Sequence, residues 1–191
     1  MKKEFFEEEV SSALEHLRAG EIILYPTDTI WGIGCDATDE KAIEKIYRLK
    51  NREDSKSMII LIAGERDLLQ YVAAPDPEVF DFLEAQTSPV TIIFDNAIGL
   101  PDTLIACDGS VGIRIVKDDF CRHLIKRLQH PLVSTSANIS GRPSPKNFND
   151  ISDEIKTGVD HIVKWRADEK EFSSPSRIIK WKKDGNYDVI R

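Results

Sequence analysis

The chain has 191 residues, enough to bury a sizeable hydrophobic core, and we expect residues 1–191 to form a single domain. Hydrophobic residues make up 41% of the sequence and charged residues 31%, the proportions of a soluble globular protein. The formal net charge of -7 argues against non-specific nucleic-acid binding as the main activity, because such binding depends on excess positive charge.

The cysteines and the N-terminal segment indicate the compartment. Cys35, Cys107 and Cys121 are far apart and form no C-x-x-C pair, which is typical of a reduced compartment. The first ten residues, MKKEFFEEEV, carry acidic side chains where a signal peptide needs an apolar stretch. The longest apolar run, 58–63, is far too short to span a bilayer. We therefore expect a cytoplasmic protein.

Helices and strands alternate along the predicted chain. In order, the predicted elements are a helix at 4–19, a strand at 21–25, a helix at 39–49, a strand at 58–62, short helices at 66–72 and 77–85, strands at 90–94 and 111–116, a helix at 118–128, and strands at 132–135, 161–165, 177–181 and 187–190. Asp39 is expected to cap the second helix. This alternation predicts an α/β sheet. The closely spaced strands 90–94 and 111–116 suggest that part of the sheet is antiparallel.

The segment YPTDTIWGIG (25–34) has two interpretations. Thr27, Asp28 and Thr29 offer hydroxyl and carboxylate groups just before two glycines, as a binding loop would. A turn held by Asp and Thr hydrogen bonds would have the same composition. The segment is not a P-loop, since no G-K-[ST] follows. By itself it does not decide between a turn and a site.

Cations cluster where the second helix is expected to end, in RLKNREDSK (48–56). Arg48, Lys50, Arg52 and Lys56 suit the negative end of a helix dipole, and such clusters are most often solvated helix ends. Lys50 and Arg52 diverge on a helix, but they converge if the chain becomes extended between them. A point charge beside a planar guanidinium would then suit a polyphosphate.

Two predicted strands each carry a polar residue, and only the second of these residues is unusual in a strand. Thr91 in VTIIF is unremarkable, because β-branched residues suit a strand. Arg114 in VGIRI is flanked by Ile113 and Ile115, so its side chain must either point to solvent or find a buried carboxylate.

The segment LVSTSANISGRPSP (132–145) places many small hydroxyls directly after a buried-looking strand. Ser, Asn, Gly and Pro are ordinary loop residues. However, short hydroxyls, a carboxamide and exposed backbone N–H groups at the end of a strand can also hold an anion.

The sequence does not indicate catalysis by a strong side-chain base or a bound metal. Its four histidines fall outside these segments, and it contains no H-E-x-x-H, no Cys/His metal cluster and no G-x-S-x-G elbow. We expect chemistry that depends on positioning and charge, with no dedicated protein metal site.

Four motifs taken in order resemble the YrdC/TsaC family of threonylcarbamoyl-AMP synthases. They are PTDTIWGIGCDA, the K-x-R of Lys50 and Arg52, VGIRIV, and STSAN-x-SG, and the resemblance covers roughly residues 19–148. It implies a YrdC-like fold, in which a twisted mixed parallel/antiparallel sheet with flanking helices curves around a concave, locally positive cleft. It also implies a nucleotidyltransferase. L-Threonine and bicarbonate give a carbamate, which attacks the α-phosphate of ATP to yield threonylcarbamoyl-AMP and pyrophosphate.

The resemblance also assigns roles to residues. Lys50 and Arg52 would be catalytic, holding the phosphates at a solvent-lined cleft, while Mg²⁺ would arrive with the ATP. The implied ATP-binding residues are Lys50, Arg52, Thr91, Ser136, Asn138 and Ser144. The implied threonine-binding residues are Thr27, Arg114 and Ser134, with Arg114 pairing with the substrate carboxylate. Further candidates are Lys56, Thr135, Ser176 and Arg177.

The implied partners are the downstream proteins that transfer the group to tRNA, with weak binding of tRNA or double-stranded RNA as a further expectation and no membrane partner. Two alternatives remain open from the sequence. One is a YrdC-like module that binds RNA without making the adenylate, and the other is a paralogue that acts on another carbamoyl or acyl substrate.

Overall fold

The computed structural model of the chain describes residues 2–51, 58–169, 174–182 and 185–191. Within these ranges the helices are α1 (Lys2–Arg18), α2 (Glu40–Lys50), α3 (Glu78–Ala85), α4 (Asp119–Leu128) and α5 (Asp153–Gly158). The strands are β1 (Ile23–Tyr25), β2 (Gly32–Gly34), β3 (Ile59–Ile62), β4 (Val90–Phe94), β5 (Val111–Ile115), β6 (Leu132–Ser136), β7 (His161–Ile162), β8 (Arg177–Trp181) and β9 (Tyr187–Val189). None of the helices in these ranges is long and apolar enough to cross a lipid bilayer.

The strands join in one sheet with the order β7-β1-β2-β6-β3-β5-β4-β8-β9. The pairs β1/β7, β3/β5 and β4/β8 are parallel, and the other neighbours are antiparallel. The predicted mixed α/β sheet is therefore confirmed. The expected antiparallel pairing of β4 with β5 is also confirmed, with Ile92 opposite Ile113.

Apolar side chains fill both faces of the sheet. In β1, Ile23 and Tyr25 belong to the core cluster that includes residues of α1 and α4, whereas Leu24 belongs to the cluster that includes residues of α2. This alternation follows from the two-residue period of a strand, which sends successive side chains to opposite faces. Helices therefore cover the sheet on both sides.

Helix α2 begins and ends as its sequence predicts. The Asp39 carboxylate accepts hydrogen bonds from the N–H groups of Lys41 and Ala42 at 2.9 and 3.2 Å. Because the last turn packs inward, Tyr47 and Lys50 are buried. Asn51 then ends the helix in a left-handed conformation with φ of 48°.

Some elements of the described chain escaped the sequence-based prediction, and others differ from it in type or length. Strand β2 and helix α5 were not predicted. The helix expected at 66–72 is a 3-10 helix, Glu65–Gln70, and the strand expected at 161–165 ends at Ile162. The strand expected at 132–135 extends to Ser136, so the hydroxyl-rich segment begins inside the sheet, where Ser136 pairs with Gly32 of β2.

Candidate functional site

A cavity of about 190 Å³ lies where β2, β5 and β6 meet the segments that follow β1 and precede β8. It brings together seven of the residues singled out from the sequence, namely Thr91, Arg114, Ser134, Thr135, Ser136, Ser144 and Ser176. The rest of its lining comprises Thr29, Ile30, Trp31 and Gly32 of the segment 25–34, which the sequence marked as a possible binding loop, and Met58, Ile59, Pro175, Ile178 and Arg191, which were not predicted. Hydroxyl groups and two guanidinium groups therefore face the same hollow.

Arg114 is the most deeply buried cation of the cavity lining, with 3% of its surface exposed. Its Nη2 lies 3.2 Å from Oδ1 of Asp28, whose side chain is also buried. The sequence left open whether this arginine points to solvent or pairs with a buried carboxylate, and in the structure it pairs with the carboxylate. Arg114 Nε is buried and has no hydrogen-bond partner among the described residues. An unpaired buried donor is costly, so this group is suited to an additional acceptor.

Lys50 joins the end of α2 to the loop that follows β6. Its Nζ donates hydrogen bonds to the main-chain oxygens of Ser136 and Asn138, the latter at 2.5 Å. The N–H of Ser140 returns a bond to the main-chain oxygen of Lys50 at 2.9 Å. The expectation that Lys50 lies at a solvent-lined cleft is wrong, because only 1% of its surface is exposed. A buried ammonium needs acceptors, and here the loop carbonyls supply them.

The loop after β6 is shaped by its own polar groups. Asn138 Nδ2 donates to the main-chain oxygens of Ile139 and Arg142 at 2.9 and 2.7 Å. Its Oδ1 is buried and has no partner among the described residues. Asn138 does not line the cavity, whereas Ser136 and Ser144 on either side of it do. The segment is therefore both an ordered loop and a source of hydroxyls for the cavity.

The C-terminal segment supplies one wall of the cavity. Ser176 is buried, and its hydroxyl lies 2.8 Å from the hydroxyl of Thr91 on β4. Arg191 Nη2 donates to the main-chain oxygen of Ser176 at 3.2 Å. Pairing of β8 with β4 and of β9 with β8 brings these residues to the site. No local signal in the sequence marked Arg191.

Six of the predicted residues do not line the cavity or cannot be placed, including Lys50 and Asn138, which are described above. Thr27 is buried, and its hydroxyl donates to the main-chain oxygen of Ile30 at 2.8 Å and accepts from the N–H of Thr29 at 3.0 Å. Arg177 is exposed and donates to Gln86 Oε1 at 3.0 Å, outside the cavity lining. Arg52 and Lys56 lie outside the described residues.

Two buried titratable groups near Arg114, Tyr25 and Cys121, have raised pKa values. Burial raises the pKa of Tyr25, whose hydroxyl donates to the main-chain oxygen of Val133 at 3.2 Å. Burial likewise raises the pKa of the Cys121 thiol, which donates to the main-chain oxygen of Pro26. In the ranges that the structure describes, no group of three or more His, Cys, Asp or Glu side chains is arranged to hold a metal ion. The site offers cations and hydroxyls for binding anions.

Comparisons with known proteins all match one protein family. A family model for Sua5, YciO and YrdC, described as "Telomere recombination", matches residues 15–191. A relative from Methanocaldococcus jannaschii is 34% identical over 185 residues, which cover 95% of this chain and 86% of the relative. The threonylcarbamoyl-AMP synthase of Idiomarina loihiensis is 32% identical over 163 residues, covering 83% of this chain and 86% of that enzyme.

Solved structures share the fold. The structure of P. abyssi Sua5 complexed with L-threonine matches with a TM-score of 0.80 and 23% sequence identity. The match covers 90% of this chain and 50% of that one, so this chain spans about half the length of the P. abyssi protein.

Proposed function

The chain belongs to the Sua5/YciO/YrdC family, as its motifs predict, and on that premise we propose that it is an L-threonylcarbamoyladenylate synthase. In this reaction L-threonine, bicarbonate and ATP yield threonylcarbamoyl-AMP and pyrophosphate. The observation that carries the proposal is the position of Arg114, a buried cation at a cavity that is also lined by several serine and threonine residues. Such a cavity suits a small carboxylate beside a phosphate.

The amino-acid end of the proposed site is built around Arg114. Its guanidinium would pair with the carboxylate of threonine, since charge-assisted bonds between arginine and carboxylate are among the strongest in proteins. Ser134 lines the same cavity. Thr27 would act by ordering the loop 26–31, because its hydroxyl is bonded within that loop.

The nucleotide would lie along the loop after β6. Ser136 and Ser144 offer hydroxyls to it from the cavity wall, and Thr91 on β4 lines the same cavity. Lys50 would keep the main chain at Ser136 and Asn138 in position, and Arg52 would supply the adjacent cation. ATP would bind with Mg²⁺ as the substrate complex, and the ion would help to neutralise the charge on the departing pyrophosphate.

The proposed chemistry needs no activated base, and among the described residues no His, Asp, Glu or Lys lines the cavity. Threonine and bicarbonate condense with loss of water to a carbamate, whose oxygen attacks the α-phosphorus while the bond to pyrophosphate breaks. A carbamate is already an anionic nucleophile, so no side chain has to deprotonate it. The protein's part is to align the carbamate with the α-phosphate and to neutralise charge, which is how phosphoryl-type transfers are largely accelerated.

We also propose how the chain is organised and where its product goes. Residues 1–191 would form one domain, which the continuous sheet supports. The adenylate would pass, in the cytoplasm, to proteins that modify an adenosine of tRNA, and tRNA or double-stranded RNA would bind weakly at most, given the net charge of -7.

The test is to incubate the pure protein with MgATP, bicarbonate and single amino acids, and to measure pyrophosphate release. The proposal expects release that requires both threonine and bicarbonate. Tight RNA binding without turnover would instead indicate a binding module. Release with a different carbamoyl or acyl donor would indicate a paralogue with another substrate.

A further inference from the structure

Arg166 has a backbone conformation that is unfavourable for a residue with a long side chain. Its φ of 62° lies in the left-handed region, which residues other than glycine, asparagine and aspartate seldom adopt. Asn51 and Gln129, which share this conformation, end helices. Arg166 does not cap a helix, so other contacts must hold it. Strain of this kind persists where surrounding contacts enforce it, and it is concentrated at functional sites.

The guanidinium of Arg166 makes three polar contacts. Its Nη1 donates to the main-chain oxygen of Thr27 at 3.2 Å and to Oδ2 of Asp118 at 3.0 Å. Its Nε donates to Oε2 of Glu169 at 2.6 Å. Burial disfavours the charge, but the hydrogen bond with Glu169 and the charge of Asp118 outweigh it and raise the pKa of Arg166. The cation is therefore fixed between two separate segments.

Those two segments carry the ion pair at the cavity. Thr27 immediately precedes Asp28, and Asp118 lies four residues after Arg114, where it caps α4 by accepting from the N–H of Cys121. Asp28 also accepts a long hydrogen bond, 3.4 Å, from the N–H of Lys117. The loop 26–31 and the segment after β5 are thus joined at the cavity by the Arg114–Asp28 pair and, beside it, by Arg166.

We propose that Arg166 is a positioning residue for substrate binding, which fixes the loop 26–31 against the segment after β5 and thereby holds Arg114 in place at the cavity. The inference rests on the proposed function, in which Arg114 receives the carboxylate of threonine. Arg166 is not part of the cavity lining, so it acts through Arg114 and Asp28 rather than by touching a substrate.

The kinetic test compares Arg166→Ala, Arg166→Gly and Arg166→Lys. Arg18→Ala is the matched control, since Arg18 also donates to a main-chain oxygen, that of Arg127 at 3.0 Å, and does not line the cavity. Loss of the charged hydrogen bonds should raise the threonine KM about tenfold in the Ala and Gly variants and leave the ATP KM within about twofold. The Lys variant should recover part of the loss, because it keeps the charge.

Thermal unfolding separates this role from a purely structural one. Glycine adopts a positive φ without strain, so Arg166→Gly should unfold at a higher temperature than Arg166→Ala while showing the same rise in threonine KM. A threonine KM that follows the melting temperature, or that does not change in either variant, would overturn the inference.

Amide hydrogen exchange on the ligand-free protein tests the same idea without relying on the proposed activity. The N–H groups of Thr29 and Lys117 are both bonded to residues of the loop. We expect exchange at these two amides to be about tenfold faster in Arg166→Ala than in wild type, and unchanged in Arg18→Ala. Unchanged exchange in Arg166→Ala would refute the positioning role. If the wild-type protein releases no pyrophosphate with threonine, the proposed function fails and the exchange result alone decides the role of Arg166.

Discussion

Lys50 donates a hydrogen bond from its side-chain nitrogen to the main-chain oxygen of Ser136, 86 residues further along the chain. The same nitrogen bonds the main-chain oxygen of Asn138. The end of α2 and the loop after β6 are therefore joined by a buried charge. Two segments that the sequence marked separately as candidate phosphate-binding elements meet at this point.

Substitution of Lys50 should damage both activity and stability. In Lys50→Ala the main chain at Ser136 and Asn138 loses two charged hydrogen bonds. We therefore expect kcat/KM for ATP to fall at least about tenfold, and the melting temperature to fall as well. Pyrophosphate release and thermal unfolding measure the two effects. Lys45→Ala is the control, because Lys45 lies on the same helix and donates to the main-chain oxygen of Gly20 at 3.0 Å. Wild-type kinetics in Lys50→Ala would refute this role.

Arg114→Ala should affect threonine more than ATP. We expect the threonine KM to rise by at least about tenfold, because the carboxylate loses a charged partner, while the ATP KM changes less. Asp28 is also left as an unpaired buried charge, so the free energy of unfolding should fall by about 3 kcal/mol. Initial rates and urea unfolding provide the two measurements.

Arg177→Ala is the control for Arg114→Ala. Arg177 lies on β8 near the cavity but is bonded to Gln86 instead of lining the site. A larger change in the ATP KM than in the threonine KM of Arg114→Ala would show that the amino-acid and nucleotide ends have been assigned the wrong way round.

Gly34→Ala should destabilise the sheet under the site. A Cβ at this position would lie 2.3 Å from the main-chain oxygen of Val133 and 2.7 Å from Cε1 of Tyr25. Neither neighbour can move freely, so the free energy of unfolding should fall by about 1–3 kcal/mol in urea titrations. Gly64→Ala is the matched control, since nothing lies within 4 Å of its Cβ. Equal stabilities of the two variants would contradict the close approach.

The lowered pKa of His161 leads us to expect a loss of stability in mild acid. Burial lowers the pKa of this histidine, helped by the ring of His16, which stacks on it at 4.2 Å between centroids. The folded state therefore favours the neutral imidazole, and the unfolded chain takes up the proton at higher pH. The contribution is fully present above the unfolded pKa of about 6.5, and it is lost as the pH falls from there through the lowered pKa of the folded state.

Urea unfolding at several pH values between about 7 and 5 measures this effect. The free energy of unfolding should depend less on pH in His161→Gln than in wild type. His123→Gln on α4 removes the same number of histidines and is the comparison variant. A wild-type slope in His161→Gln would mean that other groups cause the acid sensitivity.

The sequence revealed much of the architecture because local signals agreed with the fold. The Asp39 cap and the inward face of α2 followed directly from residue spacing, and so did the strands β4 and β5. Strand β2 was missed because glycine has low strand propensity, yet glycine is needed there: the backbone passes too close to Tyr25 and Val133 for a side chain.

The chemistry of the site was predictable in its residue types but not in their contacts. The burial of Lys50 depends on carbonyl oxygens 86 and 88 residues away, which no local pattern reveals. Arg191 reaches the cavity only because β9 pairs with β8. Arg166 gave no sign of its role, since its backbone strain and its partners appear only in the folded chain.

The most direct test of the proposed function is the mass of the product formed from MgATP, L-threonine and ¹³C-labelled bicarbonate. We predict an adenylate that contains one threonine and one ¹³C atom and that forms together with an equal amount of pyrophosphate. Unlabelled AMP, or ATP that remains intact in the presence of threonine and bicarbonate, would contradict it.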